Sequence, residues 1–241
     1  MPPGFFDSPE PTMIRDNLRQ IWTTIAQSAI KVGRNPDEIR LVAVSKTVVP
    51  ELIQEAIECG QMLFGENYLQ EAVSKIPLFP RETNWHFIGH LQSNKARQAA
   101  ELFQVIETVD RWKIAKVLDD HAKHLGKSLS ILIQVNLGGE HQKSGIPPEN
   151  AEQLLRQIAQ STNLRVLGLM TMPPFFDHPE QSRPYFRELK KLSLQLAAKD
   201  LFADNTNVAL SMGMSNDYPI AIEEGATIVR VGTALFGARN L

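Results

Sequence analysis

The stretch Ile39-Arg-Leu-Val-Ala-Val-Ser-Lys-Thr47 reads as a β-branched, apolar strand that closes on a lysine, where a buried sheet normally excludes charge. Two readings of Lys46 are open from the segment alone. Its head can snorkel into water past the strand end. It can instead face a cavity, where burial disfavours the ammonium form and leaves an amine able to condense with a carbonyl. The strand over 39–47 is the first of eight. Short apolar runs recur at 62–66, 85–90, 105–110, 130–137, 164–172, 207–211 and 227–231, separated by amphipathic stretches that begin near Pro50, Tyr68, Ser93, Arg111, Pro148, Pro179 and Tyr218. Several of these starts place proline where a missing N–H costs nothing. A further helix precedes the first strand, with Ile14, Leu18, Ile21, Ile25 and Ala29 at helical spacing. Repeated βα units run their strands parallel, and eight of them at this chain length predict a closed (β/α)8 TIM barrel with an extra N-terminal helix. An open doubly wound sheet is the competing α/β architecture.

The chain has 241 residues, 43% hydrophobic and 22% charged, which is ample for one packed α/β domain. No low-complexity tract or Pro/Gly/Ser linker divides it. Residues 13–241 are therefore expected to form a single domain, and residues 1–12 a disordered lead-in. That opening lacks the basic start and apolar run of a secretory signal, and no apolar segment nears the roughly 18 residues of a membrane span. With 25 basic against 27 acidic side chains the net charge is -2, so no global field favours nucleic acid or an anionic membrane. Cys59 is the only cysteine. It excludes an internal disulfide and a multi-cysteine metal cluster, and it suits a reducing, cytoplasmic location as a buried small hydrophobe.

A barrel gathers its functional side chains at the C-terminal ends of the strands. Polar and glycine-rich tokens follow the strands in that order: Ser45-Lys46-Thr47, Gly65-Glu66-Asn67, Gly89-His90-Leu91-Gln92, Asn136, Met170-Thr171-Met172, Ser211-Met-Gly-Met-Ser215 and Arg230-Val-Gly-Thr233. The last two close strands seven and eight, after which barrels often hold phosphate. Glycine there lets an anion approach the backbone, and the following N–H groups and hydroxyls can hold its oxygens. Each motif alone is also compatible with a tight βα turn; their adjacency in a barrel favours the phosphate reading. His86 and His90 do not form a metal pair, because four residues of strand separate them by about 13 Å. His86 is expected to face the barrel and His90 the rim. His121 and His124 lie on a polar helix face. The run Gly138-Gly-Glu-His-Gln-Lys-Ser-Gly145 lacks the glycine that a P-loop carries immediately before its lysine, and is read as a mobile βα loop over the rim, with His141 and Lys143 solvated.

From about Ile14 onward the chain resembles the YggS/PROSC family of pyridoxal 5'-phosphate (PLP) homeostasis proteins. The resemblance rests on Leu41-Val-Ala-Val-Ser-Lys-Thr47, Phe64-Gly-Glu-Asn-Tyr68, Trp85-His-Phe-Ile-Gly-His-Leu-Gln-Ser-Asn-Lys95, Gly168-Leu-Met-Thr-Met172, Leu210-Ser-Met-Gly-Met-Ser-Asn-Asp217 and Arg230-Val-Gly-Thr233. It implies a barrel like the N-terminal domain of alanine racemase, with PLP on Lys46 as an internal aldimine. Ser211, Gly232 and Thr233, with Gly213 in the same motif, would hold the phosphate, and Arg230 would face the pyridine nitrogen. Asn67, His86 and Met212 would line the pocket.

The resemblance further implies a non-catalytic PLP-binding protein that buffers the cofactor or delivers it, with apo PLP-dependent enzymes as partners. The racemase completes its site with a tyrosine base from a second domain. This chain is expected to lack that domain, since it ends at Leu241 directly after the last unit, and a lone barrel is expected to be a monomer. Neither Tyr68 nor Tyr218 matches the position of that base. A small PLP-dependent racemase, or a related α-carbon enzyme that uses Lys46 as its only proton shuttle, is the alternative.

Overall fold

The computed structural model describes residues 12–139 and 144–237. The expected lead-in, apart from Thr12, and residues His141 and Lys143 lie outside them. Helix α1 (Met13–Lys31) starts at Thr12, whose hydroxyl accepts from the Arg15 N–H, and it buries the stripe Ile14, Leu18, Ile21, Ile25. The βα units follow: β1 (Arg40–Val44) and α2 (Pro50–Glu58), β2 (Leu63–Glu66) and α3 (Leu69–Lys75), β3 (Asn84–Phe87) and α4 (Ala96–Leu102), β4 (Val105–Val109) and α5 (Trp112–His124). The second half repeats the plan with β5 (Ser130–Gln134) and α6 (Pro148–Ser161), β6 (Arg165–Met170) and α7 (Arg183–Ala197), β7 (Ala209–Ser211) and α8 (Tyr218–Glu223), β8 (Ile228–Val231) and α9 (Thr233–Phe236).

The eight strands pair in parallel, each with its chain neighbour, and β8 returns to β1 with Leu41 opposite Val229. The sheet is a closed barrel, not an open sheet. The reason lies in the side-chain parity of the strands, which point alternate residues to opposite faces. Outward residues such as Leu41, Ala43, Phe64, Trp85, Ile106, Leu210 and Val229 join the helix stripes in one large core. Phe64 and Trp85 lie opposite each other on β2 and β3, and their rings stack at 5.2 Å. Helix α6 shows how the helices answer, with Ala151, Leu154, Leu155 and Ile158 buried at helical spacing. Inward residues Val42, Val105, Leu132, Met170, Ala209 and Ile228 fill a second, smaller core inside the barrel.

Helix α1 packs beside the last units, where Asn17 donates to the Leu235 carbonyl at 2.8 Å and Lys31 pairs with Glu223 at 2.6 Å. Among the described residues, no helix is long and apolar enough to cross a membrane, and no group of His, Cys, Asp or Glu is placed to hold a metal ion.

Candidate functional site

Lys46 shares the inward parity of Val42 and Val44 and stands just past the end of β1. It lines a cavity of about 290 Å³ at the C-terminal mouth of the barrel, together with Val44, Asn67, Ile88, Arg230, Gly232 and Thr233. The turns after β6 and β7 contribute the other walls through Met172, Pro174, Phe175, Phe176, Ser182 and the segment 214–217. The size and the mostly apolar lining suit one small aromatic ligand. Directly after Lys46 the chain turns through Thr47 at a φ of 61°, a left-handed conformation that costs a β-branched residue about 1–3 kcal/mol. The Thr47 N–H donates to Glu71 Oε1 at 2.6 Å, and the Thr47 hydroxyl to the Lys46 carbonyl at 2.7 Å.

Asn67 lies two residues beyond Gly65 and so has the same inward parity. Its Oδ1 is buried with no hydrogen-bond partner, and an unsatisfied buried acceptor costs about 1–3 kcal/mol. This atom is therefore placed to accept from a ligand. The end of β3 passes the Asn67 backbone closely enough that a Cβ on Gly89 would stand 2.0 Å from the Asn67 carbonyl oxygen. Only glycine permits that approach.

At the β7–β8 side of the cavity, the N–H groups of Gly232 and Ala234 both donate to Ser215 Oγ, at 3.2 and 3.3 Å. Two amides and a hydroxyl are gathered there, a donor set suited to an oxyanion.

Arg230 is 3% exposed, held by a chain of polar contacts through the barrel interior. It donates to Ser211 Oγ at 2.6 Å and to the Thr171 carbonyl at 2.9 Å. Ser211 in turn donates to Glu107 Oε2 at 2.6 Å, and the other Glu107 oxygen meets His86 Nδ1 at 2.6 Å. Burial alone would raise the Glu107 carboxyl, but the hydrogen bond and charge of His86, the Arg230 charge and the Ser211 hydroxyl outweigh it and hold it below the usual carboxylate range. For Arg230, burial outweighs the attraction of Glu107 and Asp217 and lowers its pKa.

Of the residues singled out from the sequence, Lys46, Asn67, Arg230, Gly232 and Thr233 come together around the cavity. The other four do not reach it. Ser211 is fully buried with its hydroxyl engaged between Arg230 and Glu107, and the hydroxyl beside the Gly232 and Ala234 amides is that of Ser215. Met212 has the opposite parity and packs in the outer core. Gly213 turns the chain at a φ of 90°. His86 does face the barrel interior, as expected, but it borders a different cavity shared with Arg40, Gln61 and Asn84. His90 lies on the rim, where its Nδ1 meets the Ser144 hydroxyl at 2.9 Å. Ser215 and Val44 stood inside quoted motifs without a role. Nothing in the motifs marked Phe175 and Phe176, which reach the cavity from the turn after β6.

The family model described as "Alanine racemase, N-terminal domain" matches residues 15–240. A curated protein of Vibrio cholerae, named pyridoxal phosphate homeostasis protein, is 45% identical over 233 residues, covering 94% of this chain and 97% of its own. The protein of the same name from Aquifex aeolicus is 41% identical and covers 93% of this chain and 98% of its own. The chain belongs to the pyridoxal phosphate homeostasis protein family. Among solved structures similar to this family member is PipY of Synechococcus elongatus PCC7942 with PLP bound, 35% identical at a TM-score of 0.81, covering 93% of this chain and 100% of that one.

Proposed function

We propose that this chain binds PLP in the Lys46 cavity, holding it covalently through the Lys46 amine, and that it buffers or delivers the cofactor without turning over a substrate. The observation that carries the reading is that one cavity holds Lys46 together with Ser215, Gly232 and the buried Arg230, the Ala234 amide meeting the same Ser215 hydroxyl. Such a site offers an amine for an aldehyde, donors for a phosphate and a cation for a ring nitrogen. The unpartnered Asn67 Oδ1 offers an acceptor to the ring's hydroxyl. The PLP-bound PipY relative supports the same ligand. Bound PLP supplies a reversible carbonyl and an aromatic ring that draws off electron density.

What the chain's own residues do argues for holding over turnover. The Arg230 guanidinium is a donor without acceptor capacity, and it keeps its protons, so a pyridine nitrogen facing it would stay unprotonated and the ring would be a weaker electron sink than beside a carboxylate. Among the described cavity-lining residues there is no tyrosine, histidine or cysteine to act as a second base opposite Lys46. Asp217 is committed to capping the turn, accepting from the Met214 N–H at 2.7 Å. Delivery to apo PLP-dependent enzymes is the partner role consistent with a reversible hold.

Borohydride reduction of the PLP-treated protein should fix a pyridoxyl mass on the peptide that contains Lys46. A label on Lys75 or Lys95 instead would overturn the assignment. Solvent-deuterium exchange at the α-carbon of a panel of amino acids tests the non-catalytic part. The expected exchange is far slower than about 1 per second, the low end of ordinary enzyme turnover, and exchange at that rate would favour the racemase alternative.

A further inference from the structure

The peptide groups on both sides of Lys46 are held from outside the barrel by one buried ion cluster. The parity that turns Lys46 inward turns Ser45 and Glu66 outward, into the layer between sheet and helices. There Lys75, in the last turn of α3, is 5% exposed. Its ammonium donates to the Ser45 carbonyl at 2.8 Å, to Glu66 Oε1 at 2.9 Å and to Glu71 Oε1 at 2.5 Å. The Ser45 hydroxyl also donates to Glu66 Oε1, at 2.8 Å. Glu71 Oε1 is the same atom that accepts from the Thr47 N–H. The carbonyl before Lys46 thus ends on Lys75, beside the Val48 N–H that closes the turn at 3.0 Å, and the amide after it on Glu71, and the left-handed Thr47 sits within that grip.

A buried ion pair is a poor choice for stability alone, because well-packed apolar groups of similar size do as well or better. What it adds is direction. An ammonium offers three donors and no acceptor, and here all three bonds go to groups that set the path of the chain around Lys46. We propose that Lys75 is a positioning residue for Lys46. By fixing the Ser45 and Thr47 peptide groups, it holds Thr47 in its unfavourable conformation and aims the Lys46 side chain across the cavity toward the seat at Gly232. The inference rests on the reading of Lys46 as the amine that captures PLP.

Without Lys75, Thr47 relaxes toward an ordinary φ and the Lys46 peptide group rotates with it. A displacement of about 1 Å in a reacting group costs about a hundredfold in rate. The test compares the parent protein, Lys75→Met, Thr47→Gly and the double variant. Two quantities are measured: the rate of covalent PLP capture, followed by its visible absorption, and the affinity for pyridoxine 5'-phosphate, an alcohol that cannot react with the amine. Lys75→Met should slow capture by about a hundredfold, while its pyridoxine 5'-phosphate affinity stays within about threefold of the parent, as expected for a distant, independent contact. Adding Thr47→Gly should recover at least about tenfold of the lost rate, because glycine adopts positive φ without penalty.

Should Lys75→Met not fold, Glu71→Ala carries the same expectation, since it removes the Thr47 acceptor from a side chain that is one quarter exposed. Capture by Lys75→Met within about threefold of the parent would overturn the proposal. So would a joint loss of capture, analogue binding and thermal stability with no recovery from Thr47→Gly. Absence of capture in the parent protein would instead count against the reading of Lys46 itself.

Discussion

Lys46→Ala is expected to abolish covalent capture of PLP and to leave a weaker, non-covalent complex that still prefers PLP over pyridoxal by about a hundredfold. The figure follows from two amides, those of Gly232 and Ala234, that would bond a doubly charged phosphate at about 1.5 kcal/mol each, or about 3 kcal/mol together. The Lys46 amine stands past the end of β1 and the Gly232 amide past the end of its neighbour β8, so the side chain is removable while the backbone donors stay in place. Absorption spectra should lose the band of the covalent complex, and equilibrium dialysis against PLP and pyridoxal should retain the preference. If Lys46→Ala bound the two vitamers equally, the phosphate seat would have to lie elsewhere.

Glu107→Leu destabilises the fold by about 3–5 kcal/mol, the usual result of removing one partner of a buried ion pair and leaving the other charge uncompensated. Here the abandoned partners are Arg230 and His86, both inside the barrel, and the Ser211 hydroxyl loses its acceptor as well. Urea unfolding should show the loss as a lower midpoint at unchanged slope. The pH dependence has a definite sign. Because the folded state lowers the Glu107 carboxyl, its contribution to stability is complete above the unfolded carboxylate pKa of about 4.3 and is lost as pH falls through the lowered value. The gap between parent and variant should therefore be widest at neutral pH and narrow in acid. A gap that widened on acidification would mean that Glu107 is protonated in the folded protein.

These two effects mark where sequence reading ended. Lys46 was legible because a lone lysine closing a β-branched run is conspicuous; that it faces inward, with Val42 and Val44, was decided by the structure. Gly232 was legible as the glycine that closes the last strand, and Arg230 only through the family resemblance. Glu107 was not. It stands in the strand Val105–Val109 among apolar neighbours, and its value comes from His86, Ser211 and Arg230, which approach from three other strands. Ser211 was assigned to the phosphate because it opens a motif that looks like an anion turn, but the closed barrel brings Glu107 and Arg230 to that hydroxyl first. Lys75 was given no role and Glu66 only a place in a strand-end motif, because each reads as an ordinary helix or strand-end charge until the sheet and α3 are packed together.

By itself the sequence determined the eight-unit alternation, the closed barrel it implies and the rim of strand ends at which Lys46, Gly232 and Thr233 stand. Those properties depend on local periodicity and on the few ways parallel βα units can close. Only the tertiary structure decided which polar groups satisfy one another: Ser211 with Glu107, Ser215 with the Gly232 and Ala234 amides, Lys75 with the Ser45 carbonyl and Glu71 with the Thr47 amide. Hydrogen bonds are short-ranged and directional, so their pairing is set by distances between strands and helices far apart in the chain, a quantity that no local pattern encodes.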